Sequence, residues 1–188
     1  MSARVLFELV ERMGTLVRAE LRKSAAALKL QPVHLQVLAY LARCNRYSNT
    51  PAAVTSYMGI TKGSASQSLL VLERKQLLKK VPDSKDRRVV HVQLTERGHA
   101  VLSSTFPPVL WQQASAGLEE ARLVFAAQTL QEILSNAQQR QRYQTFGQCF
   151  TCRHFIQEGV DKFRCGLTQE ALSAAESQQI CHEHQFAP

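Results

Sequence analysis

This 188-residue sequence has few long hydrophobic runs and few acidic residues. Its longest stretch without Asp, Glu, Lys or Arg, 98–118, contains serines, prolines and glutamines and is too polar to span a bilayer. Charged residues also interrupt the first twelve positions, where a signal peptide would need an apolar region. With 45% hydrophobic residues, 8 Gly and 6 Pro, the chain is neither collagen-like nor wholly disordered. We therefore expect a soluble, cytoplasmic protein that does not enter a membrane.

The shortage of acidic residues leaves a formal net charge of +8, and the excess is unevenly distributed. Residues 1–145 carry 20 Lys or Arg against 10 Asp or Glu, whereas residues 146–188 carry 3 against 5. A basic surface of this kind favours a polyanion such as nucleic acid as the partner of the first part. A well-solvated basic surface with no such partner is the alternative.

Cysteine is nearly absent from the first part of the chain. Cys44 is alone there, and its position in an apolar helical pattern predicts a small core residue. The other four cysteines all follow residue 148. Structural disulfides are disfavoured in a reducing cytoplasm, so this clustering points first to a metal.

Helical spacing and capping residues predict a helix-turn-helix in the first part. Apolar residues recur at helical intervals over 2–28, and Pro32 suits the first position of a second helix. Thr50 is a candidate N-cap of a short helix that Gly59 would end, and Thr61 is the candidate N-cap of the next helix. Two helices joined by such a turn form a helix-turn-helix candidate.

A β-hairpin is predicted directly after these helices. Residues 77–81 and 89–94 have strand character, and the polar loop 82–88 between them is charged. Thr95 would then cap another helix, which we expect to continue with a kink through Pro107 and Pro108.

A last long helix is predicted over 118–143. The fold class is therefore mainly α with a small β-wing. Domain 1–145 would hold the winged helix-turn-helix and the long terminal helices, and 146–188 a small Cys-rich module.

The segment 50–98 resembles the winged helix-turn-helix of MarR-family transcription regulators. The most specific pieces are Asp83–Arg88, which resembles the family's wing, and Leu94–Gly98, which resembles the start of its next helix. The resemblance extends over roughly 1–143. It implies a regulator rather than an enzyme, and a homodimer, joined through its terminal helices, on a pseudo-palindromic DNA duplex. Gln76 departs from the glycine that the family commonly has after the recognition helix.

Side-chain chemistry selects the DNA-contacting residues. A helix N-terminus attracts phosphate, glutamine can pair with adenine in the major groove, and arginine suits a narrow A/T-rich minor groove. The predicted DNA-binding residues are Thr61, Lys62, Ser64, Ser66, Gln67, Lys85, Arg87 and Arg88. An aspartate of the wing is expected to hold one guanidinium in place. The alternative is that these are ordinary solvated side chains.

The predicted tail has the spacing C-x2-C-x12-C-x15-C. The metal ligands that this predicts are Cys149, Cys152, Cys165 and Cys181. Scattered single cysteines favour an iron–sulfur cluster, and Zn2+ remains the alternative because four thiolates suit both. His154, His182 and His184 could replace a cysteine, but we expect them to face solvent or to lie outside the ligand set. Four phenylalanines would supply a small core: Phe150, Phe155, Phe163 and Phe186.

A capping box also marks a short helix in the tail. Ser173 and Glu176 have the required spacing, and the helix is expected to end near Cys181.

Three functions follow from these patterns. The first is a homodimeric transcription regulator whose DNA affinity responds to an iron–sulfur centre in the tail. The second is a MarR-type repressor with a structural zinc tail and a small-molecule effector between the dimerisation helices and the winged domain. The third is a protein-interaction or thiol-redox module in which C-x2-C is a dithiol, although no thioredoxin-like context surrounds it.

Overall fold

The computed structural model describes residues 2–84, 86–141 and 145–186 of the chain. Its first part contains seven helices and one hairpin within those residues. In chain order these are α1 (Ala3–Ala27), α2 (Pro32–Leu41), α3 (Pro51–Met58), α4 (Lys62–Arg74), β1 (Leu78–Pro82), β2 (Val90–Leu94), α5 (Glu96–Thr105), α6 (Val109–Ser115) and α7 (Glu120–Gln141). The strands β1 and β2 are antiparallel, with Leu78 opposite Leu94.

The predicted caps are confirmed at three helices. The hydroxyl of Thr50 accepts a hydrogen bond from the Ala53 amide, and Thr61 and Thr95 do the same at the starts of α4 and α5. Gly59 ends α3 in the left-handed conformation, with φ 62°. These local bonds satisfy amides that a helix start leaves unpaired, so each helix begins where its threonine stands.

The hydrophobic core lies where α1, α2, α3, α4 and the wing meet. Its buried residues include Leu21, Ala25, Leu35, Leu38, Tyr40, Val54, Leu69, Leu72, Leu78 and Val92. Phe146 and Ile180 of the tail pack against this same core. The boundary between 145 and 146 stays a prediction, but the packing across it is continuous.

The prediction of one kinked helix through Pro107 and Pro108 is wrong. Helix α5 ends at Thr105, Phe106 is extended with φ -139° and ψ 128°, and α6 starts separately at Val109. Proline disfavours the helical conformation in the residue before it and lacks an amide hydrogen, so two successive prolines end the helix instead of bending it.

The tail forms a small β-rich module. It contains β3 (Gly147–Gln148), a 3-10 turn (Cys149–Thr151), β4 (Phe155–Gly159), β5 (Lys162–Cys165), β6 (Ala171–Leu172), α8 (Ala174–Ser177) and β7 (Ile180–Cys181). Strands β4, β5 and β6 form one sheet, and β3 pairs with β7. The capping box of Ser173 and Glu176 is confirmed.

Two expectations for the tail are corrected. Helix α8 ends at Ser177, and Cys181 lies in β7, because the chain leaves the helix to pair with β3. Phe150 is exposed in the 3-10 turn and does not join the small core, whereas Phe155 and Phe163 stack with ring centroids 5.3 Å apart.

Much of the first part presents apolar side chains to solvent. Phe7 in α1 is 70% exposed and Phe125 in α7 is 71% exposed. None of the residues of α7 up to Arg140 is buried. Within 2–84, 86–141 and 145–186, no helix combines the length and the apolar character that crossing a bilayer requires.

Candidate DNA-binding surface and cysteine pocket

Helix α4 has one buried face and one exposed polar face. Ala65, Leu69 and Leu72 point into the core. The exposed side chains are the five that the sequence predicted on this helix and its cap: Thr61, Lys62, Ser64, Ser66 and Gln67. Because the cap leaves the N-terminal turn open to solvent, its positive dipole end and its hydroxyl groups are available to an anion.

The wing presents two exposed arginines. Arg88 makes an ion pair with Asp86, with 2.8 Å between Nη2 and Oδ2, and this bond lowers the pKa of the Asp86 carboxyl. The expectation that a wing aspartate holds one guanidinium is therefore confirmed. Arg87 is exposed beside this pair, and Lys85 lies outside the described residues.

The base of the wing is attached to the connection between α2 and α3, residues 42–50, which we call the α2–α3 loop. His91 in β2 contacts two oxygen atoms, Oδ1 of Asn49 at 2.5 Å through Nδ1 and Oδ2 of Asp83 at 3.0 Å through Nε2. The Val92 amide also donates to the Asn49 carbonyl at 2.6 Å. Nothing in the sequence distinguished Asn49, because its partners lie about forty residues later in the chain.

The four predicted cysteines of the tail line one pocket of about 30 Å³. All five cysteines of the chain are free thiols, and Cys149 and Cys181 are buried. The wall of this cysteine pocket also contains His154 and Phe155 from the tail, and Asn45 and Tyr47 from the α2–α3 loop. The sequence spacing thus predicted the convergence of the cysteines but not the contribution of the first part of the chain.

Polar groups of the α2–α3 loop donate to the sulfur atoms. Nδ2 of Asn45 lies 3.2 Å from Sγ of Cys149. A hydrogen bond from the Cys149 thiol lowers the pKa of Cys181 to about 6 despite its burial, and a hydrogen bond from Asn45 adds to the effect. The same bond to Cys181, together with burial, raises the pKa of Cys149. The two pKa shifts have opposite directions, so the pair favours a thiolate on Cys181 over one on Cys149.

The donor types of the pocket fit a thiolate-ligated metal. Four cysteines are the ligands that zinc and iron–sulfur clusters use, and Nε2 of His154 is buried without a hydrogen-bond partner among the described residues. The side chains are not drawn together into a ligand shell: over the described residues, no group of three or more His, Cys, Asp or Glu is placed to hold a metal ion. The donor types therefore suit a bound metal, although the side chains are not arranged as a ligand shell.

The three histidines differ from one another. His154 lines the cysteine pocket, and His182 makes an edge contact with Phe146. His184 does not face solvent: it is 3% exposed, bonds through Nε2 to the Thr151 hydroxyl at 2.9 Å, and lies outside the lining of the cysteine pocket. Burial lowers the pKa of His184, so the neutral ring is favoured at this position.

Residues 28–89 match the model of the MarR family. The fold resembles those of three solved structures. The first is FabT from Streptococcus pneumoniae in complex with DNA, with 20% sequence identity and a TM-score of 0.56; the match covers 72% of this chain and 96% of the FabT chain. The second is wild-type apo MarR from E. coli, with 21% sequence identity and a TM-score of 0.52; the match covers 69% of this chain and 96% of the MarR chain. The third is a mutant of MepR from a multidrug-resistant S. aureus clinical isolate, with 19% sequence identity and a TM-score of 0.54; the match covers 73% of this chain and 99% of the MepR chain. No curated protein matches the sequence.

The match to the family model covers 62 of the 188 residues, and the solved structures share the winged-helix fold with this chain. At identities of 19–21% they show the fold alone. Because the three structures cover no more than 73% of the chain, the remainder has no counterpart in them.

Proposed function

We propose that this chain is a homodimeric, sequence-specific DNA-binding transcription regulator that carries a metal centre in its cysteine-bearing tail. The observation that carries the proposal is the exposed polar face of α4 beside a wing with two exposed arginines. A helix of this kind fits the major groove, and a basic wing fits the backbone or the minor groove next to it. The fold is shared with FabT, whose structure was solved with DNA.

Gln67 and Ser66 are the residues that we assign to base contacts. Both lie on the exposed face near the start of α4, where helix-turn-helix proteins contact base edges. Thr61 and Lys62 would bind phosphate around the helix N-terminus, and Ser64 would face the major groove with Ser66 and Gln67. Lys85, Arg87 and Arg88 would neutralise phosphates or enter the minor groove through the wing.

A second copy of the chain is the occupant that we assign to the exposed apolar helices. The apolar side chains left open are Val5, Phe7, Leu9, Val10 and Leu16 on α1, Val109, Leu110 and Trp111 on α6, and Val124, Phe125, Leu130, Ile133 and Leu134 on α7. These are 13 large apolar side chains on three helices, a surface that a partner of the same apolar character would cover. Dimerisation would bury it and would present two copies of α4 to successive major grooves.

The tail is the proposed metal centre. Cys149, Cys152, Cys165 and Cys181 would supply thiolates. His154 would be a further donor, because it lines the same pocket and its buried Nε2 has no hydrogen-bond partner among the described residues. An iron–sulfur cluster would add redox-dependent charge next to the DNA-binding part, whereas zinc would add a fixed charge and hold the fold. An effector bound between the dimerisation helices and the winged domain stays a prediction.

Three measurements on the full chain, purified without oxygen, test the proposal. Selection from a randomised duplex library should return a pseudo-palindromic site, and sedimentation should give a dimer both alone and on that site. Metal and sulfide analysis should find iron with sulfide, or zinc. A protein that enriches no duplex contradicts the regulatory function, and a protein that never retains metal contradicts the metal centre separately.

A further inference from the structure

The α2–α3 loop contacts both the cysteine pocket and the wing. We propose that this loop couples the two sites: Asn45 is a positioning residue for the cysteine centre, and Asn49 transmits its state to the wing through His91. This inference rests on the proposed function, since it assigns regulation to the tail and DNA contact to the wing. It requires no contact between the tail and DNA.

Asn45 attaches the loop to the tail. Its side chain is 1% exposed, and Nδ2 donates to Sγ of Cys149. Its backbone amide donates to the Ile180 carbonyl at 2.9 Å, while the Ile180 amide donates to the Arg43 carbonyl at 2.8 Å. Loss of a hydrogen bond from a buried amide group costs free energy, so we expect Asn45 to shift toward its remaining acceptor, Cys181, when the Cys149 sulfur changes.

Ser48 continues the connection inside the loop. Its hydroxyl donates to Oδ1 of Asn45 at 2.6 Å and accepts from the His182 amide at 2.7 Å. Its carbonyl accepts from the buried hydroxyl of Tyr40 at 2.8 Å. Ser48 is fully buried and makes these three hydrogen bonds. If Asn45 moves, water cannot replace its hydrogen bond to Ser48, so Ser48 moves with it.

Asn49 is the next residue and makes the contacts with the wing described above. Its side-chain oxygen meets His91, and its carbonyl meets the Val92 amide, so both of its oxygens hold β2. His91 also contacts Asp83 at the start of the charged wing tip. The five loop residues 45–49 therefore connect a cysteine sulfur to the base of the wing.

An exposed clamp holds the loop against the tail from outside. Arg46 pairs with Glu176 at 2.5 Å and with Glu170 at 3.2 Å, and the Tyr47 hydroxyl donates to Glu170 at 2.6 Å. Partly exposed ion pairs contribute little each. The clamp fixes where the loop sits, and the buried bonds of Asn45 and Ser48 carry the coupling.

The Val92 amide provides the test, because its hydrogen exchange reports the bond to Asn49 directly. Exchange at Val92 is measured in the full-length wild-type chain and in the variants Cys149→Ala and Cys152→Ala. All three proteins are kept reduced, with a chelator present. Both substitutions shorten a cysteine of the same C-x2-C pair, but only Cys149 is bonded to Asn45; the Cys152 sulfur faces the Gln185 amide at 3.5 Å. We expect Cys149→Ala to accelerate exchange at Val92 about threefold to tenfold, the range of one net hydrogen bond, and Cys152→Ala to leave it unchanged.

Asn45→Asp guards against a folding defect in the cysteine variants. It keeps the acceptor oxygen for Ser48 and Tyr47 but removes the donor to Cys149, and it should accelerate Val92 exchange in the same way. Glu158→Gln, which breaks only the ion pair with Arg164 in the tail hairpin, is the matched control and should have no effect. Unchanged exchange in both Cys149→Ala and Asn45→Asp, or equal acceleration in Cys152→Ala, overturns the coupling.

Operator affinity is measured on the same variants with a duplex selected by the wild-type protein. If no duplex is selected, the regulatory function fails while Val92 exchange still decides the coupling. If the duplex is bound, Cys149→Ala should change its affinity about threefold to tenfold more than Cys152→Ala does.

Discussion

Gly98 at the start of α5 lies directly against the backbone of Leu77 before β1. A Cβ atom on Gly98 would be 2.0 Å from the Leu77 carbonyl oxygen. That oxygen also accepts a hydrogen bond from the Thr95 amide. The close approach joins the wing to the helix that leads toward the proposed dimer interface, so the two move as one unit.

Gly98→Ala should therefore destabilise the fold. A backbone carbonyl cannot move aside as a flexible side chain can, and overpacking of this kind costs about 1–3 kcal/mol or more. Urea denaturation of the full chain measures the change. Gly117→Ala is the control, because nothing lies within 4 Å of its Cβ position. Equal stability of the two variants would contradict the close approach.

Gln76→Gly should raise the free energy of unfolding. Gln76 has φ 58°, a left-handed conformation that costs a non-glycine residue about 1–2 kcal/mol. Glycine removes this conformational cost from the folded state, but it also raises the entropy of the unfolded chain. The net increase in the free energy of unfolding should therefore be about 1 kcal/mol or less. Lys75→Gly, at φ -82°, relieves nothing and should lower stability. A loss of stability in both variants would show that Gln76 is not strained.

Gln67→Ala should weaken specific DNA binding by about 1–3 kcal/mol and relax the preference at one base pair of each half-site. The reason is its exposed position near the start of α4. Binding to a library of single-base operator variants measures both effects. Gln128→Ala, an exposed glutamine of α7, should leave selectivity intact. Unaltered affinity and selectivity in Gln67→Ala would remove it from the base-contacting set.

Arg87→Ala should lower DNA affinity and its dependence on salt. Each neutralised phosphate contributes about 0.9 to the slope of log K against log salt, so the slope should fall by about that amount per lost contact. Arg88→Ala should have a smaller effect, because Asp86 already compensates part of its charge. A loss of selectivity at constant slope would instead indicate that Arg87 contacts bases. No change in either quantity would place the wing off the DNA.

Cys152→Ser or Cys165→Ser should lose bound metal, because each removes one of the four proposed ligands. The pairing of β3 with β7 and the packing of Phe146 and Ile180 on the main core remain, so the tail should stay folded and lose only the stability that the metal adds. Metal analysis of the purified variants measures the loss. Cys44→Ala lies outside the pocket and should keep full metal content. Serine variants with full occupancy would contradict the four-cysteine site.

The elements that short-range chemistry defines were predictable from the sequence. Thr50, Thr61 and Thr95 mark helix starts by bonds to amides three residues later, and Gly59 marks an end. The break at Pro107 was misjudged because a kink and an end have the same local pattern. The cysteine spacing predicted a shared pocket, which requires only that the tail folds on itself.

The attachment of the tail to the α2–α3 loop could not be predicted in this way. Asn45 and Cys149 are 104 positions apart, and an asparagine in a polar loop has no pattern that indicates a buried partner. The same holds for Asn49 and His91. Such contacts follow from how the finished domains meet, which periodicity and capping do not encode.

Protein synthesis gives the pairing of Asn45 with Ile180 a further consequence. The winged-helix part leaves the ribosome before β7 does, and at about 5–20 residues per second the interval lasts on the order of seconds. During that interval the Asn45 amide and the Arg43 carbonyl lack their partner Ile180, and the rings of Tyr40 and Tyr57 lack Phe146. Unpaired backbone groups next to apolar rings can pair with another chain. A nascent chain stalled before residue 180 would therefore be a target for chaperones, and its regulatory part would mature only when the last strand arrives.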